Sequence, residues 1–333
     1  MADDLDPQDF ENTAKAVMEA CAATDAVSER TALLAEAGLL AVTAPESVNG
    51  LDLPLEFAVP ICRASGAGLL GYPIIETILL SKALAAADTG IAGRIASGEV
   101  VATIAWRGVA EDGVVGAAPM AMDADLVLLF RADGSAVLAP VGNAVKPEPV
   151  EAFDVDAPDA LVRLFGPADG IVVDAATVQE LKQEAIVLRA AYVQGSAAQC
   201  LSIAADYAQE RMQFGKPLSA NQVLRHRLSR DALAVETMKN GLVRALATTG
   251  AEAAMARDAV WLEAAKSGPA VAESAIQVFG GMGFTWEVPL HRHLRQMRAQ
   301  AAYGAAADGL DSLAERVLTT SDNGWYGEIP DGL

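Results

Sequence analysis

The chain has 333 residues, 52% apolar and 20% charged; typical shares are about 45–50% and 25%, so a disordered chain is excluded and two or three modest units sharing a core are expected. Its 44 acidic and 24 basic residues give a net charge of −20, which makes nucleic acid and anionic membranes poor partners while allowing a local basic site for a phosphate. Aromatics are only 5%, and an apolar content dominated by Ala, Leu and Val favours closely packed helices over a β-sandwich.

The N-terminus, Met1-Ala2-Asp3-Asp4, is acidic with no apolar core behind it, so no signal peptide is expected. Helical spacing runs over 8–40, punctuated at its end by Gly38 and Pro45. A turn-rich loop over 45–54 leads to further helices over 55–98, interrupted near Gly66, Gly68 and Gly71-Tyr72-Pro73. From Val100 the pattern becomes β-rich: Val100–Trp106, Asp125–Phe130, Ser135–Val141, Leu161–Phe165 and Ile171–Val173 read as strands. Asp133-Gly134 marks a hairpin between two of them.

Helices resume after 175. Thr177 and Glu180 fit a capping box that opens a helix running to about Arg211. A second is expected from Asn221 to Thr249, a third up to Lys266 with Gly268-Pro269 as its stop, a fourth over 270–279, and a last from Pro289 past 315. Long amphipathic helices on short links predict an antiparallel bundle. The expected fold class is therefore α+β, mostly helical: an N-terminal helical domain (1–99), a small middle β domain (100–175) and a C-terminal four-helix bundle (176–333). Cys21, Cys62 and Cys200 are widely spaced and odd in number, offering no disulfide framework, which fits a cytoplasmic location. No run of about 18 uncharged apolar residues is present, so no membrane span is expected.

The three histidines, His226, His291 and His293, suggest no metal site; the last two are two residues apart and point to different helix faces. There is no P-loop and no G-x-G-x-x-G after a strand. Two segments carry chemistry instead. In Arg211-Met212-Gln213-Phe214-Gly215-Lys216-Pro217, followed by Gln222, an arginine at a helix end can fork onto a phosphate and a phenyl ring can lie against another ring. In Gln277-Val278-Phe279-Gly280-Gly281-Met282-Gly283, three glycines let backbone approach a ligand and present N–H groups to an anion. Each alone also reads as an ordinary helix end and turn.

Together, in this order and about 65 residues apart, the two segments resemble the acyl-CoA dehydrogenase family. Its R-x-x-F-G-x-x-x-x-x-x-Q stretch is matched by Arg211, Phe214, Gly215 and Gln222, and its Q-x-x-G-G-x-G stretch by Gln277, Gly280, Gly281 and Gly283. The loop Pro45-Glu46…Asn49-Gly50-Leu51 also looks like a family loop. The resemblance implies FAD, an acyl-CoA substrate, and transfer of electrons from the flavin to an electron-transfer flavoprotein or another acceptor. Arg211, Gln213, Phe214, Gln222, Gln277, Gly280 and Gly281 are the implied FAD contacts.

Two departures qualify this. The family's catalytic Glu falls, by alignment on Leu294-Arg295-Gln296, at Gly304, which cannot accept a proton. The alternative family position falls at Ala185, leaving neighbouring Glu184 as a candidate relocated base. The flavin-facing stretch is here Trp106–Gly113 and Ala118–Asp123, without the family's hydroxyl donors. In the family the dinucleotide lies across a subunit interface. The expectation is therefore a subunit that supplies the adenylate and pyrophosphate half of the FAD site to a related, base-bearing chain. Such α2β2 heterotetramers are known among dehydrogenases of bacterial steroid side-chain degradation that resemble this chain. The alternatives are a self-sufficient flavoenzyme using Glu184 or different acyl-CoA chemistry, and a non-enzymatic scaffold.

Overall fold

A computed structural model describes residues 5–110 and 113–319. Met1–Asp4, on which the reading of the N-terminus rests, and Glu111 and Asp112 of the flavin-facing stretch lie outside them.

Five helices form the N-terminal part: α1 (Pro7–Cys21), α2 (Val27–Glu36), α3 (Ala58–Ala67), α4 (Ile74–Ala83) and α5 (Thr89–Ala96). The single helical stretch expected over 8–40 is broken between α1 and α2. There the Arg30 guanidinium gathers the carbonyls of Thr24, at 2.7 and 3.0 Å, and Gly71, at 3.0 Å. A side chain that satisfies loop carbonyls takes the place of continued helix hydrogen bonds.

Seven strands follow. β1 (Ala102–Ala105), β3 (Leu126–Phe130), β4 (Ala136–Pro140) and β7 (Ile171–Val173) form one sheet in the order β1-β3-β4-β7, with β1 and β3 parallel and the other pairs antiparallel. The expected hairpin joins β3 to β4, with Asp133 Oδ1 accepting from the Ser135 backbone at 2.9 Å. β2 (Val114–Pro119), β6 (Asp159–Leu164) and β5 (Val145–Pro149) form a second, antiparallel sheet in the order β2-β6-β5. β2 and β5 are additions to the sequence reading: β2 is built largely of small residues, and β5 carries two prolines, tolerated because it is an edge strand. Val115, Val127, Leu129, Val137, Val145 and Val162 form a core between the sheets.

The C-terminal part comprises α6 (Ala175–Glu210), α7 (Gln222–Ala247), α8 (Ala253–Phe279), α9 (Leu290–Tyr303) and α10 (Ala306–Thr319). Three expectations change. The cap of α6 is Asp174, whose carboxylate accepts from the N–H groups of Ala176 and Thr177 at 2.9 and 3.0 Å, rather than a Thr177–Glu180 box; Glu180 turns instead to Lys82, 2.9 Å away. Helix α8 runs unbroken through Gly268-Pro269. Close packing against the helix offsets the hydrogen bond that proline removes: Met297 Sδ lies 3.0 Å from where a Cβ on Gly268 would sit, and Pro269 is buried. The last helix is two, separated at Gly304 and Ala305, where Ala305 takes a φ of 48°. Buried Ala190, Ala191, Ala197, Ala204 and Ala208 keep α6 close to its neighbours in the main core.

Candidate functional site

The exposed end of the bundle is built from two helix termini. Arg211 caps α6, and the chain turns back through a two-residue β8 (Met212–Gln213) and β9 (Lys216–Pro217). The turn is Phe214-Gly215, at φ 53° and 76°. Two consecutive positive φ values suit a tight hairpin, and holding a phenylalanine there costs about 1–3 kcal/mol. Phe214 is nonetheless 93% exposed, so no packing within the described chain repays that strain. At the end of α8, Gly280 adopts φ 63° and ψ −135°, a conformation that glycine alone takes readily. Tyr207 and Phe279 stack with centroids 3.9 Å apart and an interplanar angle of 14°, which joins the ends of α6 and α8.

The structure thus places Arg211, Gln213 and Phe214, Gln222 at the start of α7, and Gln277, Gly280 and Gly281 at one end of the bundle. All seven are exposed. Arg211 makes no ion pair among the described residues. No atom lies within 4 Å of a Cβ placed on Gly215, Gly280 or Gly281. An uncommitted guanidinium, three side-chain amides and open glycine backbone are a donor set suited to a diphosphate and its nucleoside. These residues fit the pyrophosphate and adenylate end of FAD.

The interior behind Gly304 is different. Arg189, fully buried on α6, places Nη2 3.3 Å from Glu76 Oε1 and donates through Nη1 to Gln300. Its guanidinium lies 4.3 Å from the Trp106 ring and 5.1 Å from the Tyr303 ring. Trp106 Nε1 donates to the same Glu76 oxygen at 2.7 Å, and the Tyr303 hydroxyl donates to Asp159. The space left among Tyr72, Glu76, Asp154, Tyr192, Gln300 and Tyr303 is about 10 Å³, room for roughly one water. Burial, opposed by the Glu76 charge, brings Arg189 down to about 10, so it stays cationic at neutral pH. Burial pushes Asp154 up to about 7; burial and then the Glu76 charge push Asp159 up to about 6. The chamber does not fit an isoalloxazine ring.

Gly304 has no room for a carboxylate, because the Trp261 indole covers it. Glu184 does not face this chamber. It is buried against Lys82, 2.5 Å away, in a separate cleft of about 180 Å³ with Leu79, Thr177 and Glu180. His293 is buried, its Nδ1 2.8 Å from Ser196 Oγ, and burial pushes it down to about 3. Among the described residues no cluster of His, Cys, Asp and Glu could hold a metal, and no helix is long and apolar enough to cross a membrane. The sequence reading passed over Arg189 and Glu76, although each is a lone charge inside an apolar helical run, Ile186–Val193 and Ile74–Leu80.

A family model described as "Acyl-CoA dehydrogenase, C-terminal domain" matches residues 175–318. The chain is 26% identical over 277 residues to acyl-CoA dehydrogenase IpdE2 of Mycolicibacterium smegmatis, covering 82% of this chain and 81% of that protein. Among solved structures it is similar to the ChsE4-ChsE5 complex from Mycobacterium tuberculosis, with a TM-score of 0.82 at 21% identity over 94% of this chain and 97% of that one. It is also similar to a variant of the Tcur3481-Tcur3483 steroid acyl-CoA dehydrogenase, with a TM-score of 0.83 at 22% identity over 95% and 98% of the two chains. The mostly helical α+β architecture is the acyl-CoA dehydrogenase fold.

Proposed function

We propose that this chain belongs to the acyl-CoA dehydrogenase family and serves as a FAD-associated subunit that works only beside a related, base-bearing chain. Its share is the adenylate and pyrophosphate half of the cofactor site, in an α2β2 complex that introduces a double bond into an acyl-CoA thioester. The observation that carries this reading is the contrast between the two ends of the bundle. Arg211, Gln222 and Gln277 stand exposed around open glycines, while the chamber beside Gly304 is filled by Arg189, Glu76 and Trp106.

In such a complex Arg211 would hold a phosphate bidentately, Gln213, Gln222 and Gln277 would bind polar atoms of the nucleotide, Phe214 would cover a ring, and Gly280-Gly281 would let backbone N–H groups reach the anion. FAD held there by these residues and the partner would supply the acceptor for the acyl β-hydride, with an electron-transfer flavoprotein or another acceptor taking up the electrons. A carboxylate of the partner removes the α-proton, since this chain offers none at 304. Similarity to the Tcur3481-Tcur3483 steroid acyl-CoA dehydrogenase supports a steroid side-chain acyl group as substrate, and similarity to that protein and to the ChsE4-ChsE5 complex supports a two-chain assembly.

The test is co-expression with a related dehydrogenase chain, followed by an absorption scan. The expected result is a colourless chain alone, a yellow complex, and loss of flavin from the complex on Arg211→Ala. A purified single chain that holds stoichiometric FAD and oxidises an acyl-CoA overturns the reading; an intact complex with no flavin in either form favours a scaffold.

A further inference from the structure

Residues 150–158, the link between β5 and β6, close one side of the chamber behind Gly304. Asp154 at the centre of the link is 2% exposed and lines that chamber. Its Oδ1 accepts from the backbone N–H groups of Asp156 and Ala157 at 3.0 and 3.3 Å, which folds the link into a turn. Arg292 of α9 grips Asp156, with Nε 3.2 and 3.1 Å from the two carboxylate oxygens. The Pro158 carbonyl accepts from the Met120 N–H at 2.9 Å, and Asp159, which opens β6, accepts from the Tyr303 hydroxyl. The large apolar residues of the link, Val150, Phe153 and Val155, are all exposed. Its hold on the chamber is therefore polar.

The carboxyls here outnumber the cations that answer them. Glu76 pairs with Arg189 and Asp156 with Arg292, whereas Asp154 and Asp159 make no ion pair among the described residues. Tyr72 and Glu76 of α4, Tyr192 and Arg189 of α6, and Arg292 and Tyr303 of α9 face Asp154 from the helices. Further out lie the Cys62 thiol of α3 near Tyr192, His291 near Asp156, Arg295 against Phe153, and Arg30, which donates to the Gly71 carbonyl. We propose that 150–158 is a pH-sensitive strap, closed over the chamber while Asp154 and Asp159 carry protons and released as they ionise. It is a property of this chain alone and does not depend on the assembly the chain enters. A carboxyl taken out of water without a cation favours its neutral form, and each ionisation adds a like charge beside Glu76. Burial accordingly pushes Asp154 to about 7, and burial with the Glu76 charge pushes Asp159 to about 6, against an ordinary 3.8. Release returns both to water and to that ordinary value. The closed form thus binds the extra protons, so opening grows as pH rises from the ordinary value and levels off once Asp154 has ionised in the closed form.

Hydrogen exchange of the full chain tests this, read by mass spectrometry over peptides spanning 150–158 and corrected for the intrinsic pH dependence of exchange. From about pH 5 to about pH 7 the protection of the strap is expected to fall about tenfold or more relative to that of the α6 interior. The double change Asp154→Asn, Asp159→Asn removes both titrating groups and keeps a side-chain acceptor at each position. In that variant the corrected protection of the strap is expected to stay level across the same range. Arg292→Gln is expected to lower protection of the strap at every pH while keeping the wild-type slope, because it loosens the grip without touching the titrating pair. The wild-type series with α6 as its internal reference reads the strap without any substitution, so the test survives a variant that fails to fold. The proposal is overturned if protection of the strap is level in the wild type, if strap and α6 lose protection in parallel, or if the double variant keeps the wild-type slope.

Discussion

Trp261 donates its indole N–H to the Gly304 carbonyl at 3.0 Å, and the same ring occupies the place of a side chain on Gly304, with Cε2 2.5 Å from where a Cβ would sit. Gly304→Glu is therefore expected to cost about 1–3 kcal/mol by overpacking and to create no dehydrogenase activity. Denaturant melts and acyl-CoA-dependent dye reduction check this. Activity gained by the single change would show that the indole yields easily.

The Arg189–Glu76 pair has almost no access to water, so removing one partner strands the other. Arg189→Met is expected to lose about 3–5 kcal/mol of stability, and Arg189→Met with Glu76→Gln to recover much of it, because no unpaired charge remains and Trp106 keeps an acceptor. A double-mutant cycle by urea unfolding measures the coupling. Additive losses would mean that the chamber admits water.

Asp154 gives a pH signature. Its folded-state carboxyl holds its proton to about pH 7 through burial, against an ordinary value of 3.8. Between those values the native state binds the extra proton, so this group's contribution to stability is present at low pH and is lost as pH rises toward 7. Buried His293, pushed down to about 3, acts in the opposite sense, losing its contribution as pH falls below 6.5. Comparing wild type with Asp154→Asn cancels the histidine. The variant is expected to gain on the wild type with rising pH, by up to about 1.4 kcal/mol per unit within that window. Parallel stability curves for the two proteins would remove the assignment.

Glu184→Gln is expected to weaken the link between α4 and α6 by about 1 kcal/mol, since Lys82 retains Glu180. Flavin content and turnover of the assembled complex should stay unchanged. Loss of turnover at wild-type stability would reinstate Glu184 as a base.

The order of helices, strands and helices was legible because periodicity reports burial, and the Asp133-Gly134 hairpin because its turn chemistry is local. The ends of individual helices were not. Gly268-Pro269 reads as a stop in any isolated segment, yet α8 runs through it, with Val193 and Met297 packed closely against Gly268. The segments at Arg211 and Gln277 could be read only through their resemblance to the family's stretches, since each alone is also an ordinary helix end and turn. The filled chamber could not, since it joins Glu76, Trp106, Arg189 and Gln300 from elements far apart in the chain. Two lone opposite charges inside apolar helices were the available signal, and pairing them required the fold.

The filled chamber also limits how this chain can change. Placing an acid at 304 first drives it into Trp261, withdrawing Arg189 first leaves Glu76 uncompensated, and trimming Trp106 first takes a donor from that same carboxylate. Each single step toward an open pocket passes through a less stable protein, so the filled interior works as a ratchet, and opening it requires several replacements at once.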